Sequence, residues 1–167
     1  MNRDLREAAS AVLEACRARG LKVATAESCT GGLVAGALSE IAGSSDVLDR
    51  GFVTYSNAAK QQMLGVPAAT LRDYGAVSRQ TAEAMARGAL LKSKVDMAVA
   101  ITGIAGPGGG SADKPVGLVH FAVQTRDGTS MHAAKRYGGI GRGEVREKSV
   151  LQALAMLAEM AEEFRRK

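Results

Sequence analysis

The chain has no tryptophan, and aromatic residues make up only 4% of it. That argues against a large aromatic cavity and leaves Ala, Val, Leu, Ile and Met to fill the interior. Side chains of this size suit Ala-rich helices packed closely on a sheet. Cysteine and histidine are as scarce, with 2 of each. Cys16 and Cys29 form no CxxC pair and no disulfide framework. With His120 and His132 they offer no HxxxH spacing, so no metal site is expected. No apolar run approaches the ~20 residues that span a bilayer, and Met1–Arg6 lacks the apolar stretch of a secretory signal. The expectation is a cytoplasmic protein with no membrane partner.

What is present has an ordinary globular balance. The 167 residues are 46% hydrophobic and 23% charged, which suits one core and one domain spanning 1–167, with no repeat or linker. The formal charge is +5 and the pI about 9.5. Such a balance fits a nucleic-acid binder or an enzyme with an anionic substrate. The basic residues are scattered along helices, apart from Arg165-Arg166-Lys167, which reads as a solvated helix end. No RNP-like aromatic cluster accompanies them, which argues against sequence-specific nucleic-acid binding.

Hydrophobic periodicity predicts a helix over Arg3–Arg19, with Leu5, Val12, Leu13 and Cys16 on one stripe, and then a strand over Leu21–Ala26. A second helix is predicted to open at Glu27-Ser28-Cys29-Thr30-Gly31-Gly32 and run to Ile41. A strand at Gly51–Tyr55 leads to a helix Asn57–Leu64 capped by Ser56. After a polar turn at Asp73-Tyr74-Gly75, Ser78 caps an Ala-rich helix Arg79–Lys92, and Asp96–Ile101 is an apolar strand. Asp127-Gly128 marks a hairpin between Leu118–Thr125 and Ser130–Tyr137. A long last helix carries Val145, Val150, Leu154, Leu157, Ala161 and Phe164 on one face. The pattern predicts an α/β fold, a three-layer α/β/α domain with a mixed, mostly parallel sheet and a C-terminal hairpin.

In such folds ligands collect beyond the carboxyl ends of strands. Three strand exits are rich in glycine or small polar residues: 28–32, 55–57 and 102–110. At the first, amides of Cys29, Thr30 and Gly31 at a helix start would favour a phosphate or a developing oxyanion. Gly31 and Gly32 inside a first helical turn would cost near ~1 kcal/mol each, which points to a use for them. The second exit brings Tyr55 and, a turn later, Lys60. An isolated helical lysine is most often a solvated charge, but beside a serine a neutral lysine can take the hydroxyl proton.

Two serines could be that partner. Ser28 shares an edge with Tyr55 if the strands are parallel, whereas Ser45 falls at the opposite edge and would have to come from a partner subunit. Cys29 at a helix start is a weaker nucleophile candidate, because both histidines lie in the hairpin strands with no route to it. Thr102, Gly103 and Gly106 would let backbone approach a ligand. Arg142, among glycines, is a fork-shaped donor suited to phosphate.

Six stretches occur together and in order: Thr25-Ala26-Glu27-Ser28-Cys29-Thr30-Gly31-Gly32, Ile41-Ala42-Gly43-Ser44-Ser45, Arg50–Asn57 with Lys60, Gly75-Ala76-Val77-Ser78, Thr102-Gly103-Ile104-Ala105-Gly106-Pro107 and Lys114-Pro115-Val116-Gly117. Through them the chain resembles the CinA C-terminal domain family, the PncC-type nicotinamide mononucleotide deamidases. The resemblance implies an amidohydrolase of pyridine nucleotide recycling that converts nicotinamide mononucleotide and water to nicotinic acid mononucleotide and ammonia. It implies a phosphorylated pyridine nucleotide as partner, no cofactor, no metal, and a homo-oligomer. The family's serine, lysine and tyrosine map onto Ser28 or Ser45, Lys60 and Tyr55, and its substrate-binding positions onto Thr102 and Arg142. A non-catalytic nucleotide-binding module and a competence- or DNA-damage-associated accessory protein are the alternatives.

Overall fold

A computed structural model describes residues 1–164, so the helix end read at Arg165-Arg166-Lys167 lies outside the described residues. Asn2 opens α1 (Arg3–Arg17), its side chain accepting from the Leu5 amide at 2.9 Å. Then come β1 (Val23–Glu27), α2 (Leu33–Ser39), a 3-10 turn at Ser44–Asp46 and β2 (Leu48–Val53). Three helices follow, α3 (Asn57–Leu64), α4 (Ala68–Tyr74) and α5 (Arg79–Leu91). After β3 (Met97–Gly103) the hairpin β4 (Leu118–Thr125) and β5 (Ser130–Arg136) leads into α6 (Arg142–Glu163).

The strands form one sheet in the order β2-β1-β3-β4-β5. β1 is parallel to β2 and β3, whereas β4 is antiparallel to both its neighbours. Four strands therefore share a direction and β4 alone opposes them. The carboxyl ends of β1, β2 and β3 lie along one edge.

Side-chain alternation divides the interior into two layers. Val99, Ile101, Phe121 and Val123 belong to the layer with α1, α2 and α6, packed with Val12, Leu13, Leu154 and Leu157. Ala98, Ala100 and Ala122 belong to the other, with Ala82 and Met85 of α5 and Leu64 of α3. Alanine on that face lets α5 lie close to the sheet. α5 in turn admits α3, because a Cβ at Gly88 would stand 2.0 Å from the Leu64 carbonyl oxygen. This close seat fixes the helix that carries Lys60.

Ser56 and Ser78 cap α3 and α5 as predicted, accepting from the Ala59 and Thr81 amides. The second helix starts later than predicted. Residues 28–32 form a turn, in which Gly31 and Gly32 have φ of +58° and +100°. They precede the helix, so left-handed backbone, not helix propensity, explains the glycines. β2 lies earlier than the predicted Gly51–Tyr55. α4 was not predicted, and it buries no residue completely, so it leaves no strong apolar stripe to detect. The histidines pair with each other across the hairpin, His120 Nδ1 to His132 Nε2 at 3.1 Å, away from the first strand exit. No helix among the described residues is long and apolar enough to cross a membrane.

Candidate active site

β1 continues its ladder one residue beyond its end, since the Ser28 amide donates to the Ile101 carbonyl at 2.9 Å. Alternation therefore sends Glu27 toward α2 and Ser28 toward the opposite face, where α3 and α5 lie. The Thr54 amide likewise donates to the Glu27 carbonyl at 2.9 Å, so β1 and β2 leave the sheet together before the chain enters α3.

Lys60 points back from α3 into this exit. Its Nζ lies 3.0 Å from Ser28 Oγ, 3.0 Å from the Thr54 carbonyl oxygen and 3.2 Å from that of Tyr55. Lys60 is 1% exposed and Ser28 8%. No carboxylate among the described residues lies within ion-pair distance of Nζ. Burial without a counter-ion pushes the lysine pKa down, against a smaller opposing pull from Cys29. As the free amine, Lys60 can donate to both carbonyls and keep its lone pair for the Ser28 hydroxyl. That is the disposition a lysine base requires. In the same segment Thr54 Oγ1 is the one buried side-chain oxygen without a partner among the described residues. Leaving such a group unpaired costs about 1–3 kcal/mol.

Glu27 was not singled out from the sequence, yet it organises the turn. Fully buried, it accepts from Thr25 Oγ1 at 3.0 Å, Thr30 Oγ1 at 2.7 Å, and the Val34 and Ala35 amides at 2.8 and 3.0 Å. It thus supplies the N-terminal capping that Gly32, the residue before α2, cannot give. The available signal was a glutamate placed just ahead of a helix whose start offers no capping side chain.

The other predicted site residues divide. Tyr55 is exposed, and its hydroxyl accepts from Arg142 Nη2 at 2.8 Å while Arg142 Nη1 donates to the Gly106 carbonyl at 2.9 Å. Arg142 thereby joins the second and third strand exits. Tyr55 meets Lys60 through its carbonyl, not its ring.

Five further candidates lie in other surroundings. The Cys29 thiol is buried, and burial pushes its pKa up to about 11, which disfavours the thiolate a cysteine nucleophile needs. The Thr30 hydroxyl donates to Glu27 and the Thr102 hydroxyl to the Ala76 carbonyl at 2.8 Å, so the proton of each hydroxyl is engaged within the chain while the Thr30 amide is not. At Gly103 a Cβ would stand 2.7 Å from Val119 Cγ2, so the glycine admits the close approach of β4. Ser45 lies exposed in the 3-10 turn, where Lys22 Nζ donates to the Asp46 carbonyl at 3.2 Å. Within one chain that is the edge opposite Ser28, as the parallel strands predict, and Lys60 cannot reach it there.

Residues 5–161 match the model of the CinA C-terminal domain. The chain is 49% identical over 154 residues to the nicotinamide-nucleotide amidohydrolase PncC of Escherichia coli, covering 92% of this chain and 93% of that protein. It is 53% identical over 150 residues to a CinA-like protein of a Synechococcus species, covering 89% of this chain but only 36% of that longer protein. Among solved structures, the competence/damage inducible protein CihA from Agrobacterium tumefaciens superposes with a TM-score of 0.94 at 59% identity. That match covers 96% of this chain and 97% of the other.

Proposed function

The chain belongs to the CinA C-terminal domain family, and on that premise we propose that it hydrolyses the carboxamide of nicotinamide mononucleotide, with Ser28 as nucleophile and Lys60 as its base. The observation that carries the reading is the 3.0 Å approach of Nζ to Oγ at a lysine buried without a counter-ion. A name at 49% identity along nearly the whole of the Escherichia coli relative supports the substrate.

Lys60 takes the Ser28 proton as Oγ attacks the carboxamide carbon. The negative charge gathers on the carboxamide oxygen. The amides of Cys29 and Thr30 donate to no other described residue and are its candidate donors, each able to contribute roughly 2.7–4 kcal/mol. The proton held on Lys60 passes to the departing nitrogen, the C–N bond breaks and ammonia leaves. Lys60, neutral again, takes a proton from water as the water oxygen attacks the acyl carbon; the C–Oγ ester bond then breaks and Lys60 returns the proton to Ser28 Oγ. The product is nicotinic acid mononucleotide.

Arg142, positioned between Tyr55 and Gly106, is the candidate phosphate donor. The exposed apolar surface of Leu33, Val53 and Tyr55 near this edge is what a second copy of the chain would cover in a homo-oligomer. The reading places the reaction in the cytoplasm, in pyridine nucleotide recycling.

The test is ammonia release from nicotinamide mononucleotide and from free nicotinamide. The mononucleotide should yield ammonia and acid in equal amounts, and free nicotinamide much less. Ser28→Ala should remove both products. Binding without ammonia release in the unaltered protein would mark a nucleotide-binding module instead, and undiminished turnover by Ser28→Ala would exclude it as the nucleophile.

A further inference from the structure

Arg146 lies near the start of α6, half-buried, and reaches the turn that follows Ser28. Its Nε donates to the Cys29 carbonyl at 3.1 Å, and its Nη2 lies 3.5 Å from the Thr30 carbonyl oxygen. No carboxylate among the described residues pairs with it. Glu27 meanwhile takes donors of the same segment, the Thr30 hydroxyl and the Val34 and Ala35 amides. The turn is thus held through its carbonyls by a cation and through its donors by a carboxylate. Gly31 permits the approach, since a Cβ there would stand 3.3 Å from Arg146 Nη2 on backbone already at φ +58°.

The geometry has a consequence for one amide. A trans peptide points its C=O and N–H in opposite directions. Anchoring the Cys29 carbonyl on Arg146 therefore aims the Thr30 N–H away from α6. The next amide, Gly31, is already spent on the Ser28 carbonyl at 2.9 Å. The Thr30 N–H is left, and a charge-assisted bond at the carbonyl end of its peptide also polarises it as a donor. We infer that Arg146 is a positioning residue of the amide hydrolysis, fixing the peptide whose N–H receives the oxyanion. The inference rests on the function proposed above.

Arg146→Met and Arg146→Lys, compared with the unaltered protein, test it by steady-state turnover, thermal unfolding and hydrogen exchange over residues 28–33. Arg146→Met should lower kcat by about 10- to 100-fold, the scale of a small misplacement at a reacting centre. KM should stay within about threefold, because the lost contact acts in the transition state. Exchange should quicken at 28–33 while the rest of the sheet keeps its protection, and Arg146→Lys should recover part of kcat. Unchanged kcat in a folded Arg146→Met overturns the inference, as does a rise in KM alone, which would make Arg146 a substrate contact. If the unaltered protein releases no ammonia yet Arg146→Met quickens exchange at 28–33, the amidase reading fails and the turn clamp survives as a structural feature only.

Discussion

Glu27 at the end of β1 and Lys60 in α3 are both removed from water on either side of Ser28, yet the fold treats them in opposite ways. Glu27 meets four hydrogen-bond donors. Lys60 meets two carbonyl oxygens and a hydroxyl, with no opposing charge. A buried polar group with every valence satisfied rigidifies its surroundings, while a buried cation without a counter-ion is driven toward its neutral form. The difference separates two tasks. The β1–α2 turn is built for stability and holds Ser28 still, and the α3 entrance gives up stability to keep an amine unprotonated.

Breaking the α3 side should give the largest effect on activity. Lys60→Met should lower ammonia release by about 10³-fold or more. Its thermal midpoint should hold or rise, since methionine fills a similar space without desolvating a charge. Retained activity would remove the lysine from the mechanism. The same residue sets a pH dependence. Its folded pKa lies below the ordinary 10.5. Between those two values the unfolded chain binds the more protons, so stability rises with pH across that window. Below the folded pKa the burial penalty is complete. kcat/KM should accordingly climb with pH to a plateau, with its inflection below 10.5. A profile that stays flat into the alkaline range would contradict a lysine base.

Breaking the turn side should show chiefly in folding. Glu27→Ala leaves two hydroxyls and two amides without their acceptor, and denaturant titration should register a loss of about 2–4 kcal/mol. Unaltered stability would mean the four bonds are replaced by solvent. The smallest effect belongs to Ser45, exposed at the far edge of the sheet. Ser45→Ala should change stability by no more than about 0.5 kcal/mol and turnover by less than about twofold. A collapse of turnover in a folded Ser45→Ala would sharpen the comparison differently, by bringing the nucleophile from a second subunit.

Much of this layout was legible in the chain. The serine caps at 56 and 78 announced the starts of α3 and α5, because a hydroxyl before an apolar-periodic run has few other local uses. The hairpin followed from Asp127-Gly128. Parallel strands put Ser28 with the Tyr55 edge and Ser45 opposite, as the structure has it. The boundaries of β2 and the existence of α4 were less visible, since neither presents a continuous buried stripe.

The roles of small polar residues were the least legible part of the site. A hydroxyl or a missing Cβ suits a ligand as well as a neighbouring segment of chain, so the linear sequence does not separate the two. In three dimensions the Thr30 hydroxyl meets Glu27, the Thr102 hydroxyl meets the Ala76 carbonyl, and Gly103 lies against Val119. Arg146 stayed hidden for a related reason, being 117 residues from the Cys29 carbonyl it holds.

The sequence alone determined the periodicities, the caps and the residue types that a serine–lysine chemistry needs, since these depend on neighbours a few positions apart. Only the tertiary structure decided which groups lose their water and what replaces it. Burial and hydrogen-bond partnership arise between segments that meet across the sheet, and they make Lys60 a candidate base and Glu27 a cap.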